Sequence, residues 1–187
     1  MNFKDFIKLV IRIMEESNID YVIVGGLAAI YYGEPRATQD IDIIVKISPS
    51  ESNRVKAFCD LLKKSGLNLI GNWKSFVDAL KARTHISIFD PDYTFRIDLQ
   101  GVYSRLNILA FNGRRRVKIF GIETWLQGPE DLIIAKLFYY IGNRDLRDVV
   151  SILQYSYDQI DFNRLWKLAK EYSVEEKLRK ILDLLKR

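Results

Sequence analysis

Two aspartates spaced two residues apart carry the clearest chemical signal in the sequence. Asp40 and Asp42 belong to the stretch Asp-Ile-Asp-Ile-Ile, in which charged and apolar side chains alternate as on a half-buried strand. Side chains two apart on a strand point to the same side, so the two carboxylates stand together. Two negative charges this close repel each other unless a cation lies between them. Carboxylates completed by substrate phosphates are a common environment of Mg²⁺, so we predict one or two Mg²⁺ ions here, with Mn²⁺ as the alternative.

A pair of glycines lies upstream of this acidic strand. Gly25 and Gly26 follow the apolar run 21–24 and precede a helix of small and apolar residues at 27–32. Because glycine has no Cβ, its backbone N–H groups can approach an anion closely, and a helix N-terminus favours negative charge. The sequence therefore predicts a phosphate-binding turn on the element next to the two aspartates.

The order of these motifs is that of a known superfamily. Gly25-Gly26, thirteen residues, and then Asp40-Ile41-Asp42 resembles the signature of the DNA polymerase beta-type nucleotidyltransferases. With Arg36 and Thr38 before the first aspartate, the stretch 21–46 most resembles the branch of abortive-infection and type IV toxin-antitoxin nucleotidyltransferases, the MenT-like enzymes among them. A weaker likeness extends to about residue 155. The second glycine, in place of a commoner serine, and the long spacing depart from the usual pattern.

The resemblance implies both a fold and a reaction. The implied fold is α+β, a small mixed β-sheet nucleotidyltransferase core flanked by helices, with a C-terminal helical region. We place the core at 1–124 and the helical region at 125–187. The implied reaction is metal-dependent transfer of a nucleoside monophosphate from an NTP to an acceptor hydroxyl, with release of pyrophosphate.

A third metal-binding acid is expected from a later strand. Residues 84–89 and 93–99 have the pattern of two strands joined by the turn sequence Asp90-Pro91-Asp92. On the second strand Arg96, Asp98 and Gln100 alternate with apolar residues. The superfamily carries its third acid on such a strand, and Asp98 is the position that fits. The alternative is that Asp98 only pairs with Arg96 on a solvated face.

The resemblance also assigns nucleotide-binding residues. Arg36 and Thr38 would join Gly25 and Gly26 around the phosphates. Lys136, within the apolar run 132–141, would contact the triphosphate, and Asp148 in the following helix would be linked to the active site. The alternatives are that Lys136 extends its ammonium to the surface and that Asp148 makes local ion pairs at a helix start.

Composition limits the classes of protein that remain. The chain has 187 residues with 48% hydrophobic and 28% charged content, which is typical of an ordinary globular protein. A single cysteine excludes an internal disulfide and a cysteine-based zinc site, and a single histidine, His85, argues against a histidine relay. No run approaches the roughly 18 apolar residues of a membrane span, and the N-terminus lacks a signal-peptide pattern. We therefore expect a cytoplasmic protein that does not bind membranes.

The charge pattern bears on the partner. The formal net charge is +5, and the stretch 99–122 contains no acid. Its cations, which could follow a phosphate backbone or lie at an exposed hairpin end, are Arg105, Arg114, Arg115, Arg116 and Lys118. Together with the toxin-like resemblance they favour the tRNA 3′ end as acceptor and a cognate antitoxin as partner. A protein hydroxyl or a small molecule such as an aminoglycoside is the alternative acceptor. The rival from another class is a catalytically silent nucleotide- or RNA-binding regulator of antitoxin type.

Overall fold

A computed structural model of the chain describes residues 1–140 and 142–185. Within them, seven strands form a single mixed sheet, and α-helices pack against it. The strands are β1 (Asp20–Val24), β2 (Asp40–Lys46), β3 (Asn68–Leu69), β4 (His85–Phe89), β5 (Arg96–Gly101), β6 (Arg115–Ile119) and β7 (Ile122–Leu126). The helices are α1 (Phe3–Glu16), α2 (Gly25–Tyr32), α3 (Ser52–Lys64), α4 (Trp73–Lys81), α5 (Arg105–Asn112), α6 (Pro129–Tyr139), α7 (Asn143–Tyr155), α8 (Phe162–Glu171) and α9 (Glu175–Leu185). A 3-10 turn, Tyr157–Gln159, links α7 to α8.

The strand order across the sheet is β3-β4-β5-β2-β1-β7-β6. β2 lies in the middle, antiparallel to β1 and parallel to β5. β7 pairs with β1 in parallel, so that the last residues of both strands lie side by side. The predicted hairpin of β4 and β5 is present, and the α+β class predicted from the sequence is confirmed.

The two faces of β2 have different surroundings. Ile41 and Ile43 are fully buried in the main hydrophobic core. Asp40, Asp42 and Ile44 point to the other face, because successive side chains on a strand alternate. On that face α5 covers only one end, where a small apolar cluster is built from Val22, Val24, Ile44, Ala110 and Phe111. The part of the sheet that carries the aspartates is left accessible.

Two features differ from the sequence-based expectation. Helix α5 was not expected, because its apolar residues follow no clear helical stripe. What starts and ends it is local: Ser104 and Asn107 form a reciprocal capping box, and Gly113 follows the last turn. In addition, β7 continues to Leu126, so the predicted boundary at residue 124 falls inside a strand of the sheet.

The C-terminal helices follow the sequence pattern closely. Pro129 opens α6, with two acids in its first turn, and α6 packs against α2, α7 and α8. The expected ends of two helices, at residues 141 and 186, lie outside the described residues. Among those that are described, no helix has the length and apolar character needed to cross a membrane.

Candidate active site

The register between β2 and β5 brings two of the predicted acids side by side. Asp42 and Asp98 are direct partners in the parallel pairing, and Asp40 lies opposite Arg96. Residues paired in this way project to the same face of a sheet. The three aspartates singled out from the sequence thus occupy one face of two adjacent strands. Their roles in metal binding and catalysis stay predictions.

A guanidinium lies between two of the three acids. Arg96 Nε is 2.9 Å from Asp98 Oδ2, and Arg96 Nη2 is 3.6 Å from Asp40 Oδ2. Each of these acids also accepts a hydrogen bond from a hydroxyl: Thr38 Oγ1 donates to Asp40 Oδ1 at 2.5 Å, and Ser87 Oγ donates to Asp98 Oδ1 at 2.6 Å. The predicted pairing of Asp98 with Arg96 is therefore present, but it occurs beside the other acids and not on an isolated solvated face.

Asp42 has the most perturbed electrostatics of the three. Burial, the largest cause, and the negative charges of Asp40 and Asp98 together raise its pKa to about 6, although the Gly26 N–H and the Arg96 cation act in the opposite direction. One arginine thus does not compensate the charge of three carboxylates. The site carries an excess of negative charge that a cation would neutralise.

Asp42 also explains why helix α2 begins with a glycine. Gly25 has φ of +65°, a left-handed conformation, and a Cβ at this position would overlap the Oδ2 atom of Asp42. The backbone N–H of Gly26 donates to the Asp42 carboxylate, which therefore caps the helix N-terminus. The predicted phosphate turn and the predicted metal ligand are in direct contact. One of the amides assigned to the phosphate is engaged by this aspartate.

The donor set fits a divalent ion, although a ready three-carboxylate cluster is not formed. Among residues 1–140 and 142–185, no group of three His, Cys, Asp or Glu side chains is arranged to hold a metal. Asp40 is engaged by Thr38 and Arg96. Asp42 and Asp98, however, are adjacent oxygen donors, and Mg²⁺ is commonly held by one or two carboxylates together with substrate phosphates.

Arg36 and Lys136 converge on a single buried acid. Arg36 makes a bidentate contact with Asp148, at 2.8 Å from Nε and 3.0 Å from Nη2, and Lys136 Nζ lies 2.7 Å from Asp148 Oδ2. Burial raises the pKa of Asp148, but hydrogen bonds from Arg36 and Lys136 outweigh it, and the pKa ends below the usual value. The Lys136 side chain is only 11% exposed and also pairs with Asp145. It ends on these carboxylates and does not extend to the surface.

The two cations lie beside the glycine turn. Arg36 Nη2 would be 3.6 Å from a Cβ on Gly26. Lys136 lines the same cleft as Gly25 and Asp42. Asp148, 5% exposed, therefore holds two positive charges at the N-terminal end of α2. The nucleotide-binding roles assigned to Arg36, Lys136 and Asp148 stay predictions.

A cleft of about 410 Å³ lies over the accessible part of the sheet, between α5 and α6. Its lining residues are Val24, Gly25, Asp42, Ile44, Gln100, Leu106, Asn107, Ala110, Gln127, Leu132, Ala135, Lys136, Tyr139 and Asp145. Sequence reasoning missed Ser87, Asn107 and Gln127. Nothing in their local sequence marks them, because strand register and the unexpected helix α5 bring them to the site.

The expected arginine cluster is engaged within the molecule. Each of the three consecutive arginines has at least one acidic partner, so these cations do not form an unpaired patch. The pairs are Arg114 with Asp20, Arg115 with Glu130, and Arg116 with Glu15 and Glu123. Arg114 and Arg116 also lie over the ring of Trp125.

The mixed sheet, the helix that starts at two glycines and the paired aspartates on adjacent strands together define a nucleotidyltransferase. The chain matches, over residues 2–184, the family described as "Nucleotidyltransferase of unknown function (DUF6036)", and it belongs to that family. It is therefore an enzyme of nucleotidyl transfer, and the superfamily predicted from the sequence is confirmed. A search of curated proteins found no match.

Solved structures show the same fold at low sequence identity. ANT(2″)-Ia in complex with adenylyl-2″-tobramycin has a TM-score of 0.61 and 13% identity, over 91% of this chain and 96% of that one. The lincosamide antibiotic adenylyltransferase LnuA, bound to lincomycin, has a TM-score of 0.56 and 11% identity, over 81% and 96%. An antigenic nucleotidyltransferase-like protein from Paracoccidioides brasiliensis has a TM-score of 0.56 and 20% identity, over 81% and 75%.

Proposed function

We propose that the protein transfers a nucleoside monophosphate from a magnesium-bound NTP to the hydroxyl of an acceptor. One observation carries this proposal: Asp42 and Asp98 lie side by side on parallel strands, and Asp42 touches the glycine turn that opens α2. A site for the reacting phosphate and a site for its tail are thereby adjacent.

In this proposal Asp42 and Asp98, with Asp40, hold one or two Mg²⁺ ions, for which Mn²⁺ can substitute. When bound by these carboxylates, the metal would supply positive charge that neutralises the phosphates in the transition state. The acceptor oxygen forms a bond to the α-phosphorus while the bond from that phosphorus to the bridging oxygen breaks, and pyrophosphate leaves. Asp98 accepts the proton of the acceptor hydroxyl and passes it to solvent.

The remaining predicted residues bind the phosphate tail. Gly25 and Gly26 offer the N-terminus of α2, where backbone N–H groups and the helix dipole favour an anion. Arg36 and Lys136 supply positive charge, and Asp148 keeps both side chains in place. Thr38 orients Asp40 through its hydroxyl. Positioning and charge neutralisation of this kind provide most of the catalysis in phosphoryl transfer.

For the acceptor we rank a small-molecule hydroxyl ahead of the tRNA 3′ end. The net charge of +5 and the toxin-like resemblance favour tRNA as the acceptor. Against it, the three consecutive arginines are paired with acids and are not free to follow a phosphate backbone. Two proteins of the same fold, ANT(2″)-Ia and LnuA, are described with antibiotics as ligands. A toxin role with a cognate antitoxin belongs to the tRNA alternative, whereas a cytoplasmic location is part of the proposal for either acceptor.

The direct test measures where the nucleotide goes. Purified protein is incubated with Mg²⁺ and each α-labelled NTP, alone, with total tRNA, and with a panel of hydroxylated small molecules that includes aminoglycosides and lincosamides. Label on a small molecule supports the ranking, and label on tRNA reverses it. Asp42→Asn should abolish transfer, while Asp60→Asn, an exposed aspartate on α3, should not. Absence of any transfer would favour the silent regulator.

A further inference from the structure

Gln127 lies at the end of a row of side chains that crosses the sheet and begins at Asp98. Asp98, Asp42 and Val24 are successive partners across β5, β2 and β1. On the far side of β1, Ile23 pairs with Leu126, and the Gln127 N–H donates to the Ile23 carbonyl. Gln127 therefore follows Val24 in the row. Two strand spacings, roughly 10 Å, separate its strand from that of Asp42.

The side chain of Gln127 has no partner in spite of its burial. The residue is 3% exposed and lines the cleft. Within residues 1–140 and 142–185, its backbone N–H donates a hydrogen bond to Ile23, but its carboxamide has no hydrogen-bond partner. The residue lines the cleft, so its amide is open to a molecule bound there. A ligand that offers both a donor and an acceptor could form two hydrogen bonds with it.

The cleft containing Gln127 is the nucleotide side of the proposed site. It is lined by Gly25, Asp42 and Lys136, to which the proposed function assigns the phosphates, and Asp98, assigned to the acceptor, is not among the lining residues. Over Val24 the floor is apolar, and Leu106, Ala110 and Leu132 line the walls from α5 and α6. A sugar and a flat base fit such a surface, with the base edge facing the amide.

Resting on that proposed function, we infer that Gln127 reads the nucleotide base and selects adenine. A carboxamide can donate to one atom of adenine and accept from the exocyclic amine next to it, whereas guanine is the usual partner of arginine or lysine and cytosine that of a carboxylate. Among the described residues that line the cleft there is no arginine, and the lysine is engaged by Asp145 and Asp148. Asn107 contributes a second amide to the same wall, and its Oδ1 accepts from the Tyr103 and Ser104 N–H groups.

Binding of non-reacting nucleotides tests this without any acceptor. Calorimetry with Mg²⁺ measures the affinity of the α,β-methylene analogues of ATP, GTP, CTP and UTP, and of tripolyphosphate. We expect the wild type to bind the ATP analogue about 10-fold or more tightly than the other three, in the range of one bidentate base contact. Gln127→Leu should abolish this preference and leave tripolyphosphate affinity within twofold. Gln154→Leu, the same change on an exposed position of α7, should alter neither.

The outcomes distinguish failure of the adenine inference from failure of the proposed function. If no nucleotide binds to the wild type, both fail. If nucleotides bind but Gln127→Leu leaves their ranking unchanged, or weakens all four equally as loss of a sugar contact would, only the adenine inference fails. Gln127→Glu provides a second variant of nearly the same shape. It should shift the preference from adenine toward cytosine, since a carboxylate only accepts hydrogen bonds.

Discussion

At the scale of single residues, the site is defined by the contact between Gly25 and Asp42. The glycine holds a left-handed conformation, and its missing side chain leaves room for the carboxylate that caps α2. Asp42 in turn lies in a position that is unfavourable for a charge, because it is buried next to two other acids. In the proposed function both residues are placed for chemistry at a cost in stability, which is common at functional sites.

Gly25→Ala should inactivate the enzyme and destabilise it. The new Cβ would overlap Asp42 Oδ2 in a backbone conformation that alanine disfavours, so we expect a loss of about 2 kcal/mol in unfolding free energy and at least a 100-fold loss of transfer rate. Gly66→Ala is the matched control: its φ is +80°, but no atom lies within 4 Å of its Cβ position. It should cost about 1 kcal/mol and leave activity unchanged. Equal effects of the two changes on activity would contradict the proposed contact.

Asp42→Asn should stabilise the metal-free protein while it abolishes transfer. Because the folded state raises the pKa of Asp42 to about 6, the wild type loses stability as the pH rises from about 4 to above 6. The gain from asparagine should be about 1 to 3 kcal/mol at pH 8 and should vanish below about pH 3, where both states of the wild type are protonated. Denaturant unfolding in the presence of a chelator at the two pH values measures the difference in unfolding free energy between the variant and the wild type. A variant less stable than wild type at pH 8 would refute the electrostatic argument.

At the scale of elements, helix α6 connects the sheet to the C-terminal helices through its first turn. Glu130 and Asp131 are fully buried there. Both Oε atoms of Glu130 accept from Arg115 of β6 at 2.8 Å, and Asp131 Oδ1 lies 2.6 Å from Arg164 of α8. Two acids thus hold two separate elements against the helix N-terminus, whose dipole favours negative charge. The same helix carries Lys136 into the cleft, so its placement affects the site.

Glu130→Gln should weaken the fold without changing the chemistry. The change removes the charge opposite Arg115, whose side chain is 38% exposed and partly solvated, and we expect a loss of about 1 to 3 kcal/mol in unfolding free energy. Glu123→Gln, which loses only the surface contact to Arg116 at 3.5 Å, should cost less than about 1 kcal/mol. Thermal unfolding compares the two. Nucleotide affinity, measured well below the melting temperature, should be that of the wild type in both.

At the scale of the whole molecule, the arginines of the acid-free stretch 99–122 are arranged as internal ion pairs. The stretch 99–122 contains no acid, yet the acids that neutralise its arginines come from α1, β1, β7, α6 and α8. Charge counted along the sequence therefore overstates the charge available to a partner. This is why tRNA ranks behind a small-molecule acceptor in our proposal.

Arg116→Gln should leave the affinity for tRNA unchanged within twofold. Arg116 is paired with Glu15 at 2.7 Å, so its removal should not alter the salt dependence of any RNA binding. Lys118→Gln is the informative comparison, because this exposed neighbour on β6 has no ion pair with the described part of the chain. Filter binding at several salt concentrations measures both. A decrease of about one unit in the salt slope for Arg116→Gln would show that RNA displaces Glu15 and would restore the tRNA hypothesis.

The sequence by itself determined the strand-turn-helix-strand unit around Gly25 and Asp40, the hairpin that carries Asp98, and the C-terminal helices. These features depend on local periodicity, capping and turn residues, which act over a few neighbouring positions. Helix α5 is local in origin as well, but it was not predicted, because its capping residues and not an apolar stripe define it.

Only the tertiary structure decided which side chains meet. The pairing of Asp42 with Asp98, the capture of Arg36 and Lys136 by Asp148, and the position of Gln127 beside Val24 each join residues distant in the chain. Strand order and register set these contacts, and they arise when the whole core packs, so no short stretch of sequence contains them. For the same reason the arginines that looked free along the chain are paired in the folded protein.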